Sequence, residues 1–324
     1  MRAKEFLTKQ QTDMTIPHRP RALALIFCLI IGSALLSFAT DSQTPDDSSR
    51  QIVLDRFNQA RPPDTPTTPV GRSQRRRPNS VAVRPVYRRT SPLAKLPGRD
   101  SEELGVTVWR LRPARSDDPS ARLLVLDGAK QEQWVPERIE ANTPLNIGDR
   151  VRITVESPRL GYVYIVDREQ YADGSFGEAM LIFPTLNTRG GDNRVEPGRL
   201  IDIPAQEDRY SYFTAQPTGE RRDQVAEVLT IILVPQTLPL RITGQPLQLS
   251  PPELATWESL WSGATERLEL VGGAGSSWTN EEKEAGRAAG RRLTQTAPPP
   301  QTIYRIAVKA GGPLLVNIPL RYGR

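Results

Sequence analysis

The sequence predicts a mainly β fold: an antiparallel β-sandwich or half-barrel, with a small helical insertion before a C-terminal hairpin. Three observations carry this. Short runs rich in β-branched and aromatic residues recur over 105–234 and again over 303–320. Several of them alternate apolar and polar side chains with period two. Turn signals separate them at short intervals, with little helical periodicity between.

The first elements are not part of that fold. Ala22 to Ala39 is an uncharged apolar run of 18 residues, preceded by Arg2, Lys4, Lys9, Arg19 and Arg21 and followed by Asp41, Asp46 and Asp47. A basic flank stays in the cytoplasm, so the rest of the chain is expected to be exported. Ser37 and Ala39 form a small-residue site for cleavage after Ala39. The run also reaches the lower limit for a membrane anchor. Both readings stay open, with cleavage favoured. Starting at Met14 would leave a conventional short basic region. Cys28 follows bulky Phe27 inside the apolar run, which suits an apolar filler better than a lipid-bearing cysteine.

His18 and Cys28 are the chain's one His and one Cys. Beyond Ala39, histidine acid–base chemistry, Ser-His-Asp triads and thiol nucleophiles are therefore excluded. So are metal sites built on imidazole or thiolate, although oxygen ligands stay available for calcium. No cofactor is implied.

Residues 40–99 are dense in Pro, Ser, Thr and Arg. Such composition buries too little apolar surface to offset ordering entropy, so a disordered Pro/Arg-rich linker is expected. Ile52–Phe57 and Val81–Tyr87 are small apolar islands in it, expected to touch the domain only transiently, with docking as an edge strand the alternative. This stretch holds 12 basic and 5 acidic residues, net +7, whereas residues 100–324 hold 26 and 30, net −4. The overall charge of +6 thus belongs to the signal and the linker. A nucleic-acid-binding domain would carry positive charge on a folded face, so none is expected. Arg75–Arg77 with Arg84, Arg88 and Arg89 reads as a solvated spacer, with contact to anionic lipid or wall polymer as the sharper alternative.

The β domain follows, over 100–324. Gly105–Leu111 alternates, with Val106, Val108 and Arg110 on one face. Leu123–Leu126 ends at the turn pair Asp127-Gly128. Arg150–Glu156 sets Val151, Ile153 and Val155 against Arg152 and Thr154. Gly161–Asp167 follows across Ser157–Leu160, read as a hairpin loop. Ala172–Ser175 is a turn, and Ala179–Phe183 stops at Pro184. After a polar loop at 187–193 come short strands at 200–203 and 210–213. Val225–Val234, the most apolar run past the signal, is the central-strand candidate. Over about 245–298 the pattern breaks. Ser250–Glu253 and Thr279–Glu282 read as capping boxes. The first opens a helix with Leu254, Trp257, Leu260 and Trp261 on one face, the second a polar helix to about Leu293. Ile303–Val308 and Leu314–Leu320 then form the expected closing hairpin.

Gly148-Asp149, Gly161-Tyr162-Val163-Tyr164, Asp173-Gly174, Phe183-Pro184 and Ile203-Pro204 occur in the order and spacing seen in bacterial domain-of-unknown-function family 4384. Residues 104–235 resemble that family. The resemblance implies an exported or surface-associated β module, often joined to other domains, with no known activity or catalytic residue. Family members often carry Asn after the Phe-Pro, where this chain has Thr185.

The candidate ligand-binding residues are Tyr162 and Tyr164, two apart on one strand face, and Trp257 and Trp261 on the first helix. Each pair also suits ordinary packing, the commoner outcome for aromatics in such places. Asp173, Ser175 and Glu178 are close enough for calcium but read better as a turn. Gly190-Gly191 and Gly272-Gly273 lack the context of a phosphate loop. The expected function is an exported cell-envelope module, not an enzyme, that binds a protein or envelope polymer. It would contact membrane through residues 22–39 if they are retained. The alternative is a carboxylate-based hydrolase acting on envelope glycan.

Overall fold

A computed structural model describes residues 53–64, 85–90, 100–118, 122–127, 130–208, 211–217, 221–287 and 289–323. The apolar run 22–39, His18, Cys28 and the cleavage site lie outside them. No helix among the described residues is long and apolar enough to cross a membrane.

The elements in chain order are α1 (53–59), β1 (Tyr87–Arg89), β2 (Glu102–Pro113), β3 (Leu123–Asp127), β4 (Lys130–Ile139), β5 (Arg150–Glu156), β6 (Gly161–Tyr171), β7 (Met180–Phe183), β8 (Arg194–Val195), β9 (Leu200–Ile203), β10 (Phe213–Thr214), β11 (Gln224–Val234), β12 (Leu247–Gln248), α2 (Pro251–Trp261), β13 (Thr265–Leu270), α3 (Asn280–Gly286), β14 (Thr302–Ile306) and β15 (Leu314–Arg321). They build two antiparallel sheets. In the first, β5 runs along one edge of β2, and β14 and then β4 share the other. The branch through β14 continues to β13 and β1, and β9 and β10 pair with the far side of β5. The second sheet runs β12, β7, β6, β11, β15, with β8 also on β6.

The alternation read from the sequence sets the core. Val106, Val108, Val151, Ile153 and Val155 from the first sheet meet Val163, Ile165, Leu229, Ile231 and Ile318 from the second. β11 is central as expected, paired along its length with β6 and β15.

Two expected hairpins are instead crossings between the sheets. β5 and β6 flank Ser157–Leu160 but pair with different partners, and so do β14 and β15. A hairpin would lay both apolar faces side by side. The crossing brings Ile153, Ile165, Ile306 and Leu314 into one core, which buries all four.

The helical insertion contains a strand, β13, between its two helices. Its second helix ends at Gly286, not near Leu293. A Cβ at Gly290 would meet the Glu284 carbonyl, so the chain has already folded back on itself there. The Thr279–Glu282 capping box forms with both arms, at 3.2 and 2.8 Å. At α2, Ser250 makes no side-chain cap. Pro252 has no N–H to offer, and the N–H of Glu253 donates to the Ser250 backbone carbonyl.

Within 40–99 the expectation of disorder gives way at two stretches. Residues 53–64 form α1 and an ordered tail, and Tyr87–Arg89 adds to the sheet edge on β13. Val53, Leu54 and Phe57 pack with Tyr87, Leu268 and Ile303. Three apolar side chains on a short helix suffice, because Gly105 leaves a socket for the Phe57 ring; a Cβ there would lie 2.7 Å from it.

The outer face of the first sheet is polar yet buried. Arg152 and Asp202 pair at 3.0 Å with side chains 0% and 2% exposed. The Trp109 indole donates to Thr154, which donates to Asp202. Arg138 pairs with Glu282 beneath α3. The guanidinium groups of Arg138 and Arg152 lie over Trp109 and Trp278.

Candidate functional site

The inner face of the second sheet changes character at one end. Along β6 the inward positions run Val163, Ile165, Asp167, Glu169, and along β11 they run Leu233, Ile231, Leu229, Glu227. Register places Asp167 opposite Leu229 and Glu227 opposite Glu169, so Asp167 and Glu227 are diagonal neighbours. Val151 and Phe213 from the first sheet and Leu145 from the loop before β5 close over them. Between the two lies a cavity of about 180 Å³ with Tyr322 and Leu320 at its side.

The hydrogen bonding there is incomplete. Glu227 Oε1 accepts from the Gln224 amide at 2.6 Å, and the Tyr322 hydroxyl lies 3.2 Å from the same oxygen. Tyr322 is also 3.1 Å from the Gln216 carbonyl. Glu169 is held by the Tyr171 hydroxyl. Asp167 Oδ1 is buried and accepts from no donor. Burial, then the charge and hydrogen bond of Glu227, push the Asp167 carboxyl up to about 7. Burial also raises Glu227, against the bonds from Gln224 and Tyr322. Burial and mutual proximity thus favour the protonated form at both carboxyls. Lys and Arg are absent from the described residues lining the cavity.

Chemically this is an apolar slot ending on an acid pair with no internal counter-charge. It can hold a proton, or exchange it for an ammonium or guanidinium group. Among the described residues no cluster of three or more Asp, Glu, His or Cys has a metal-binding arrangement.

The four aromatic candidates come together elsewhere, on the outer face of the second sheet. Tyr164 and Trp257 are buried there with Leu254 and Leu315, and Tyr162 and Trp261 are packed against them, half-buried. Trp257 and Trp261 stack at 5.6 Å with an interplanar angle of 12°. The Tyr164 hydroxyl accepts from the Leu238 N–H at 2.8 Å. These residues fix α2 to the sheet, with Tyr164 and Trp257 buried in the contact. Leu260, expected on the same face, is 67% exposed.

Asp173 and Ser175 form an Asx turn, with Asp173 Oδ1 accepting from the Ser175 N–H and hydroxyl. Arg221 bridges Asp173 and Asp223. Gly190 and Gly191 sit in a short 3₁₀ turn, both at positive φ. Reading the sequence for aromatics and loops passed over Asp167 and Glu227. The available signal was an acid at an inward position of each of two apolar strands, GYVYIVD and AEVLTIILV.

Comparison with known proteins adds one match. Residues 144–226 match the family model described as Domain of unknown function (DUF4384). No curated protein and no solved structure matches. The DUF4384 segment runs from the turn before β5 into β11, so it crosses between the sheets. Its motif residues have backbone reasons. Gly148 and Gly174 have φ of 93° and 82°, which favours glycine. A Cβ on Gly161 would meet Leu233 at 2.8 Å and the Val234 carbonyl at 2.9 Å. Phe183-Pro184 and Ile203-Pro204 are both cis. Asp167 lies inside the segment, Glu227 lies just beyond it, and Tyr322 is far from it in sequence, at the end of the last strand.

Proposed function

We propose that this chain is an exported module of the bacterial cell envelope that binds a protein or an envelope polymer, and that the pocket between the sheets receives a positively charged group of that ligand. The observation behind the pocket's role is the buried, donorless Asp167 Oδ1 beside Glu227 at the end of an apolar slot. A cation entering it takes the place of protonation and meets both carboxyls away from water, where a charge-assisted hydrogen bond is strong. The apolar run with its basic flank supports export, and the absence of His and Cys beyond Ala39 supports binding over catalysis.

A carboxylate-based hydrolase acting on envelope glycan is the second reading, and the same acid pair is its one point of support. Carboxyls within hydrogen-bonding reach of each other are closer than the about 5–5.5 Å or about 6.5–9.5 Å that glycoside hydrolysis uses, which favours binding.

The test is co-sedimentation of the full chain with isolated cell envelopes, for wild type and Asp167→Asn/Glu227→Gln. The wild type is expected in the pellet and the variant in the supernatant. Equal retention would remove the pocket from the reading, and release of soluble sugar by the wild type alone would favour the hydrolase.

A further inference from the structure

Residues 53–64 sit on the first sheet like a bound peptide. They pair with no strand. Phe57 is fully buried, its ring on the Gly105 backbone beside Pro300. Four residues later Arg61 enters a second pocket, its side chain 1% exposed. There its Nε and Nη2 donate to Glu156 at 2.7 Å each. Its remaining donors reach the Ala297 and Pro298 carbonyls at 2.9 and 3.1 Å. The loop at 294–298 clamps the backbone: Gln295 donates from its N–H to the Pro62 carbonyl at 3.1 Å and from its amide to the Arg61 carbonyl at 3.2 Å.

The receptor side is supplied wholly by residues outside the segment. An apolar socket is floored by a glycine. A carboxylate, itself 2% exposed, has carbonyls arranged around the plane of one guanidinium. A lysine would leave most of those acceptors unmet. The sequence on either side of this segment is rich in Pro, Ser, Thr and Arg.

We propose that this groove is a recognition site for a helical turn carrying an aromatic residue and, four residues on, an arginine, and that residues 53–64 are its tethered resident. A partner protein presenting the same pair competes for it. The site is independent of the acid pocket.

The test places a specific protease site within residues 65–84 of the full chain and cleaves it after folding. A fluorescent peptide of residues 50–64 is then added. The peptide is expected to displace the severed N-terminal fragment. Peptides with Phe57→Ala or Arg61→Ala should be at least about tenfold weaker, since each loses an anchor worth more than 1.4 kcal/mol. Against the uncleaved chain, binding should weaken on the order of 100-fold, because the tether holds the resident at high effective concentration. The proposal is overturned if the fragment stays bound for days against excess peptide, or if it leaves and the peptide does not take its place. It is also overturned if the remaining domain unfolds when the fragment departs, as read by circular dichroism.

Discussion

Asp167 on β6 and Glu227 on β11 are diagonal neighbours on the inner face of the second sheet, one and two inward positions beyond the last fully apolar pair, Ile165 and Ile231. That placement gives the acid pair apolar walls and a pKa for Asp167 near 7, and it makes the pair visible to titration.

Stability should fall as pH rises. Asp167 and Glu227 are both raised above their ordinary values, so between pH 4 and 7 the native state holds protons that the unfolded state has lost. The stabilising contribution of Asp167 is complete below pH 4 and is lost as pH passes through about 7, at up to about 1.4 kcal/mol per pH unit, and Glu227 acts in the same direction. Glu103, pushed up to about 7 mainly by burial, acts in the same direction. Thermal melts at pH 5 and pH 8 should show a smaller drop for Asp167→Asn than for wild type. Equal drops would mean that the Asp167 carboxyl does not titrate in this range.

Phe57 and Gly105 should couple. Phe57→Ala should cost about 3–5 kcal/mol, and Gly105→Ala should also destabilise, because its Cβ overlaps the ring. In the double variant the second cost should shrink by at least about 0.5 kcal/mol. Pro300, 2.8 Å from the same Cβ, keeps part of it. Urea denaturation of the four proteins measures the cycle, and strict additivity would place Phe57 elsewhere.

The buried pair Arg152–Asp202 should be worth little as a pair and a great deal as two halves. Asp202→Leu alone leaves a guanidinium with 0% exposure unpaired and should cost about 3–5 kcal/mol. Arg152→Met/Asp202→Leu should recover most of that loss. Denaturant midpoints of the single and double variants decide it.

The two sequence-level helix caps should differ. Thr279→Ala removes a formed capping box and should cost about 1 kcal/mol. Ser250→Ala should change stability by less than about 0.5 kcal/mol, since Ser250 caps with its backbone alone.

The strands of the core were legible because period-two alternation and burial agree, as at Val151, Ile153 and Val155. β4 was not, because KQEQWVPERI carries charge and a proline with no clear apolar face. β13 hid between helices, although TERLEL alternates. Turn residues at Ser157–Leu160 and around Ala310 announce a reversal without saying whether the next strand joins the same sheet or the opposite one. Arg152 and Thr154 read as the polar face of their strand; they are buried because Trp278, α3 and residues 293–300 lie over that face, and such cover is a long-range matter. The acid pocket is assembled from residues between 145 and 322, a span that local pattern does not join.

The most direct measurement is calorimetric titration of the full chain with N-acetyl-lysine methylamide and N-acetyl-arginine methylamide, in buffers of different ionisation enthalpy. For the wild type, binding of one of the two with release of up to one proton is expected, stronger at pH 8 than at pH 6, and lost in Asp167→Asn/Glu227→Gln. Absence of binding by both compounds at either pH, or equal binding by the double variant, would contradict a cation-receiving pocket.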